Sequence, residues 1–163
     1  MPELPEVETI VRTLLPALVG QTILKADVHW ARTLAVPSPR KFREQIRGQK
    51  IVGVGRRAKF INLQLSAFNL LVHLRMSGDL FIKEEHDAPE KHDRLRLSLS
   101  NDPILVFNDT RKFGRVWLTD DPDSVIGDLG PEPLSDAFTP QWLYDNLQSR
   151  RRQLKPLLLD QTF

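Results

Sequence analysis

Four short stretches carry residue types that can do chemistry. In "MPELPEVET", Pro2 becomes a free secondary amine once Met1 is removed, as small second residues normally permit. Such an amine titrates near pH ~8, so a usable fraction is neutral at pH 7. It can attack an aldehyde-like carbon and form an iminium, a covalent electron sink. Glu3, its neighbour, could protonate a leaving group or a ring oxygen. With Met1 retained the Pro2 nitrogen is a tertiary amide and does neither. In "RRAKF", Lys59 follows cations that make its proton easier to give up, a useful property in a general acid or base; the plain reading is a surface lysine on a strand. In "VHLRMSG", His73 and Arg75 stand two apart and share a face if the segment is a strand, and Met76 precedes a Ser-Gly turn, either exposed there or part of a core. In "NDTRKFGR", Arg111 and Phe113 project from a loop tip, where a cation and an aromatic can enter a base stack. The same residues also fit a β-turn with an incidental basic side chain.

The elements that must hold these residues are legible in outline. Val7, Ile10, Val11, Leu14, Leu15 and Leu18 recur at helical spacing. Pro5 suits the first turn, acids there favour the positive end of the dipole, and Gly20 marks a stop. "TILKADVHW" reads as a strand and "ARTLAVPSPRKF", with Pro37 and Pro39, as a loop. A short helical turn, then two strands joined between Gly53 and Arg57, account for "FREQIRGQKIVGVGRRAKFINLQL". "NLLVHLRM" and "LFIK" read as strands, "EEHDAPEKHD" as a loop, and "RLRLSLS" alternates with Leu95, Leu97 and Leu99 on one face. "ILVF" and "RVWL" complete about eight short strands. The fold class is therefore α+β: an antiparallel β-sandwich with an N-terminal helix, followed by the start of a helical domain. Thr139 reads as the N-cap of a helix with Pro140 at its first position. A last apolar segment, "LKPLLLDQTF", has no evident partner in the chain and reads as the beginning of something longer.

Composition narrows the class further. With 163 residues, 40% hydrophobic and 27% charged, the chain can bury one real core. No apolar run approaches the roughly 20 residues of a membrane span, and no secretory leader is evident. The absence of cysteine removes disulfides and cysteine-ligated zinc, and four scattered histidines suggest no metal site. The net charge is only +2, but from Arg40 to Lys59 there are eight basic residues and one acid. Arg150, Arg151, Arg152 and Lys155 form a second basic cluster, while Asp120 to Asp136 holds six acids and no base. One face meeting a polyanion, or merely solvated strand faces, would each produce this segregation.

Taken together, "MPELPEVET", "RRAKF", "HLRMSG", "NDTRKFGR", "LGPEPL" and "LKPLLLDQ" occur in the order and spacing of bacterial formamidopyrimidine-DNA glycosylases, and the chain resembles that family over essentially its whole length. Leu4 and the Met76, Arg111, Phe113 set resemble the 8-oxoguanine/formamidopyrimidine branch rather than the endonuclease VIII relatives. The resemblance implies base-excision repair of oxidised purines in damaged double-stranded DNA, by a cytoplasmic, nucleoid-associated enzyme that is a monomer in full-length form. It implies Pro2 as the nucleophile at C1′, Glu3 as the acid, Glu6 as a supporting carboxylate, and Lys59 as a DNA contact assisting β-elimination. Met76, Arg111 and Phe113 would fill the gap left by the flipped lesion, Arg111 facing the orphaned cytosine. His73, Arg75, His92, Arg150, Arg151 and Lys155 would lie at phosphates or the lesion nucleotide.

The expected organisation is a catalytic β-sandwich over 1–130 and an incomplete helix–two-turn–helix domain over 131–163. The family's four-cysteine zinc finger has no counterpart here, so the zinc implied for full-length members is not expected in this chain. Without those parts the chain is expected to be a poor glycosylase that binds DNA weakly, the alternative being a catalytically inactive DNA-binding fragment. A tautomerase using Pro2 on a small keto acid would share the amine but would have no use for two basic clusters or a protruding Arg–Phe loop.

Overall fold

A computed structural model describes residues 2–84 and 86–163. Removal of Met1, expected above, concerns a residue outside the described ones. The chain divides into two compact units, 1–122 and 123–163.

The first unit opens with α1 (Leu4–Leu18), whose buried residues Val7, Val11, Leu14 and Leu18 form one stripe of the helix. Each such aliphatic side chain, fully buried, contributes about 1.5–3 kcal/mol. Glu3 is the N-cap, and the Glu6 carboxylate accepts its backbone N–H at 3.0 Å. Gly20 ends the helix with φ +91°, a left-handed conformation that favours glycine.

Among the described residues nine strands follow: β1 (Ile23–Val28), β2 (Leu34–Val36), β3 (Ile51–Arg57), β4 (Phe60–Leu65), β5 (Asn69–His73), β6 (Gly78–Lys83), β7 (Asp93–Leu99), β8 (Ile104–Asp109) and β9 (Arg115–Thr119). They form two sheets, ordered β1-β7-β8-β6 and β2-β9-β5-β4-β3. All pairings are antiparallel except that of β2 with β9. The sandwich core is drawn from both inner faces, with Ile61, Leu63, Leu70, Val72, Val116 and Leu118 from one sheet and Leu95, Leu97, Leu99, Leu105 and Phe107 from the other.

Two segments differ from the sequence reading. The stretch from Ala31, expected as a loop, contains a 3-10 turn (Ala31–Thr33) and β2, and the helical turn expected from Phe42 is α2 (Pro39–Ile46), which begins three residues earlier. β2 exists because Leu34 and Val36 pair with Val116 and Trp117, some 80 residues away, which local sequence does not announce. On β7, Arg94 and Arg96 alternate with the core leucines, yet they are buried too. Arg96 reaches Asp93 at 3.2 Å and the Asp87 carbonyl at 2.6 Å, so the loop before β7 folds over that outer face.

The second unit contains α3 (Asp123–Ile126), α4 (Pro140–Gln148) and α5 (Leu154–Leu158). The Thr139 side chain accepts the Trp142 N–H at 3.0 Å, the expected cap. Trp142 packs between Phe138 and Phe163, with ring centroids 5.5 and 5.6 Å away. Among the described residues no helix is long and apolar enough to cross a membrane.

Candidate functional site

Register alone gathers the candidate residues of the first unit. Phe60 on β4 pairs with His73 on β5, which pairs with Arg115 on β9. In the other sheet Gly78 on β6 pairs with Asp109 on β8, whose neighbour Asn108 pairs with Asp93 on β7. The loops 74–77 and 110–114 each cross between the sheets at this end. The turn at 58–59 and the approach to β7 at 91–92 lie there as well. Three residues at these tips, Ala58, Arg75 and Lys112, hold φ values of +48°, +57° and +61°. Such strain persists where surrounding structure enforces it, and it concentrates at functional sites.

The N-terminus joins this end through a 2.6 Å ion pair between Lys59 Nζ and Glu3 Oε2. The sequence neighbours of Lys59 are cations, but its closest charged partner in space is this carboxylate. Pro2 is half-buried beside it in sequence. A second contact fixes the same approach: Glu8 accepts Arg56 Nε at 3.0 Å and Arg12 Nε at 2.8 Å, and Arg56 Nη1 donates to the Ala58 carbonyl at 2.8 Å. These two guanidinium groups hold the Glu8 carboxyl below its ordinary value. The turn carrying Lys59 is thus tied to the helix carrying Glu3, a link that sequence reasoning missed because Glu8 read only as a helix-start acid.

His73 is 3% exposed and stacks edge-on against Phe60, with ring centroids 4.7 Å apart. Its Nδ1 accepts the Arg75 N–H at 3.0 Å, so the proton of the neutral ring sits on Nε2, and Nε2 is buried with no hydrogen-bond partner among the described residues. Burial, reinforced by the charges of Arg75 and Lys59, pulls the imidazole down to about 4. Arg75 does not share a strand face with His73, as its spacing predicts; β5 ends at His73 and Arg75 lies exposed in the turn that follows.

Met76 and Phe113 are 46% and 50% exposed, so neither is a core residue. Arg111 bridges them: Nη1 lies 3.5 Å from Met76 Sδ and the guanidinium sits 5.5 Å from the Phe113 ring centroid. The buried Asp109 organises both loops, accepting the Ser77 hydroxyl, the Arg111 N–H at 3.1 Å and the Gly114 N–H at 2.8 Å. The burial of Asp109, invisible in the sequence, makes it a clamp. Gly114 is required, since a Cβ would enter the Phe107 ring and come 3.2 Å from Asp109 Oδ2.

His92, half-buried, precedes β7, and its Nδ1 lies 3.1 Å from Arg94 Nη2. Arg150, Arg151 and Lys155 belong to the second unit and are exposed, the first two between α4 and α5 and Lys155 within α5. Among the described residues no group of three or more His, Cys, Asp or Glu is placed to hold a metal ion.

Residues 1–116 match the model of the formamidopyrimidine-DNA glycosylase N-terminal domain. The chain belongs to this family. A formamidopyrimidine-DNA glycosylase of Protochlamydia amoebophila is 45% identical over all of the chain and 60% of its own length. One of Chloroflexus aurantiacus is 47% identical over 99% of the chain and 59% of its length. The chain therefore spans about 60% of these curated relatives. Among solved structures, a Lactococcus lactis formamidopyrimidine-DNA glycosylase bound non-covalently to DNA with an AP site superposes with a TM-score of 0.90 at 32% identity, over 99% of this chain and 63% of that one. The same organism's enzyme with Fapy-dG DNA gives a TM-score of 0.90 over 98% of this chain and 62% of that one.

Proposed function

We propose that this chain is the N-terminal, catalytic part of a DNA glycosylase with AP lyase activity, excising 8-oxoguanine and formamidopyrimidines from double-stranded DNA in the bacterial cytoplasm. The observation that carries the reading is the Glu3–Lys59 pair at 2.6 Å, adjacent to Pro2 at the sandwich end that also carries Met76, Arg111 and Phe113. Family membership and DNA-bound relatives support it.

In this reading Met1 is removed and the neutral Pro2 nitrogen attacks C1′ of the damaged nucleotide as the C1′–N9 bond breaks. Glu3 in its acid form supplies the proton needed by the ring oxygen or the departing base, and Glu6 braces it by holding the Glu3 N–H. The Pro2 ammonium so formed passes its proton through Glu3 to the ring oxygen, and the C1′–O4′ bond breaks to give the open-chain iminium at C1′. The iminium acidifies C2′; a base takes that proton and the electron pair expels the 3′ phosphate, with Lys59 placed to handle the proton. A δ-step then releases the 5′ phosphate. Met76, Arg111 and Phe113 occupy the vacated stack, offsetting a flipping cost of a few kcal/mol. His73, Arg75, His92, Arg150, Arg151 and Lys155 contact phosphates or the lesion nucleotide.

Borohydride trapping on an 8-oxoguanine duplex tests the reading, with intact mass reporting whether Met1 is gone. A covalent adduct is expected that falls to background in Pro2→Gly, and Glu3→Gln should slow base release by about 10²–10⁴-fold. Tight binding with no adduct in a chain lacking Met1 would establish the second reading, a DNA-binding fragment without catalysis.

A further inference from the structure

Arg94 is 7% exposed on β7, and its three hydrogen bonds go to neutral partners. Nε donates to the Asp109 carbonyl at 2.7 Å, Nη1 to the Lys91 carbonyl at 3.4 Å, and Nη2 lies 3.1 Å from His92 Nδ1. Among the described residues it makes no ion pair, whereas Arg96, two positions on, is paired with Asp93. A buried cation without a counter-charge is costly, and such groups are ordinarily paired. The three bonds point to what offsets the cost. Arginine has only donors, so His92 Nδ1 must accept, and the ring proton is confined to Nε2. That Nε2–H has no partner among the described residues. A guanidinium donating to the far side of an imidazole polarises the ring and strengthens the remaining N–H as a donor, as linked hydrogen bonds do. The Asp109 carbonyl that Arg94 grips belongs to the same residue whose carboxylate sets the loops of Met76, Arg111 and Phe113.

We propose that Arg94 is a positioning residue that presents His92 as an Nε2–H donor to a DNA phosphate and keeps that contact in register with the Arg111 loop. The anion missing from the environment of Arg94 is then the phosphate, reached through His92. This rests on the DNA-processing reading above.

The test uses the ¹⁵N-labelled chain and a tetrahydrofuran-containing duplex. Long-range ¹H–¹⁵N correlation of the imidazoles in the free protein is expected to show His92 as the Nε2–H tautomer. Arg94→Met should release it to a mixture of forms and weaken duplex binding roughly tenfold. His92→Ala should weaken binding comparably, and the double variant no further, because both remove one contact. Arg94→Lys, which keeps charge and a donor, should restore the tautomer and most of the affinity. An Nδ1–H tautomer in the wild-type chain overturns the proposal even if Arg94→Met does not fold. So does Arg94→Met with unchanged tautomer and affinity, or additive losses in the double variant. If the wild-type chain binds the duplex no better than undamaged DNA, the functional reading itself fails, and the His92 tautomer distinguishes that failure from an error about Arg94.

Discussion

His73 concentrates the chemistry of this site in one ring. Its neighbours in sequence, Val72 and Leu74, are core residues, and its charge state is set by burial and by Arg75 and Lys59. The unfolded imidazole titrates near 6.5 and the folded one near 4. Between those values the unfolded chain holds a proton that the folded chain refuses, so stability is fully present above about pH 6.5 and is lost as pH falls toward 4. In that window the slope of unfolding free energy against pH should include one proton from His73, about 1.4 kcal/mol per pH unit at its steepest. His73→Gln should remove that component in urea titrations at stepped pH; an unchanged slope would mean the ring is charged in the fold. None of this is legible in "VHLRMSG", where His73 and Arg75 look like equal members of a strand face. The turn that makes Arg75's own N–H bond the ring is a product of the fold. The Glu3–Lys59 pair is illegible for a related reason: 56 positions separate two residues that only α1 and the β3–β4 turn bring together.

At the scale of elements, what the sequence made plain was whatever had a period. The α1 stripe and the Leu95, Leu97, Leu99 alternation both survive in the core. What it hid was decided by distant partners: three-residue β2 by β9, and the buried outer face of β7 by the loop that Asp93, Arg96 and Asp87 tie down. The two sheet-crossing loops also depend on contacts that a motif cannot show. At Gly78, which closes the Met76 loop, a Cβ would collide with the Leu74 carbonyl oxygen and lie 2.9 Å from Leu74 Cα. Backbone cannot swing aside as a side-chain tip can, so Gly78→Ala should cost about 1–3 kcal/mol in urea unfolding. Its effect should reach function through Met76, raising the dissociation constant for lesion duplex more than that for undamaged duplex. Gly114→Ala, facing the buried Phe107 ring, should cost a similar amount. A wild-type midpoint for Gly78→Ala would show that the loop is free to shift.

For the whole molecule, the uneven charge is read either as a face for a polyanion or as solvated strand faces, and the structure separates the groups that would count as charges toward a polyanion from those that would not. Counterion release scales with the number of phosphates neutralised, at a log–log slope of about −0.9 per cation on duplex DNA. Arg75, exposed at the tip of its turn, carries a guanidinium cation. His73 is neutral at pH 7 and offers only an N–H. Both are proposed to meet phosphates, yet salt should tell them apart. Arg75→Gln should flatten the plot of log affinity against log salt by about 0.9, with its largest loss at low salt. His73→Gln should lower affinity by roughly 2–10-fold at every salt concentration and leave the slope unchanged, because it deletes a hydrogen bond and no charge. Fluorescence anisotropy with a lesion duplex between low and physiological salt measures both. A slope reduced in His73→Gln would mean that the phosphate draws a second proton onto the ring, making His73 a cation only in the complex. Equal slopes in all three proteins would place Arg75 away from the backbone and leave the basic clusters on α2 and between α4 and α5 to account for the salt dependence.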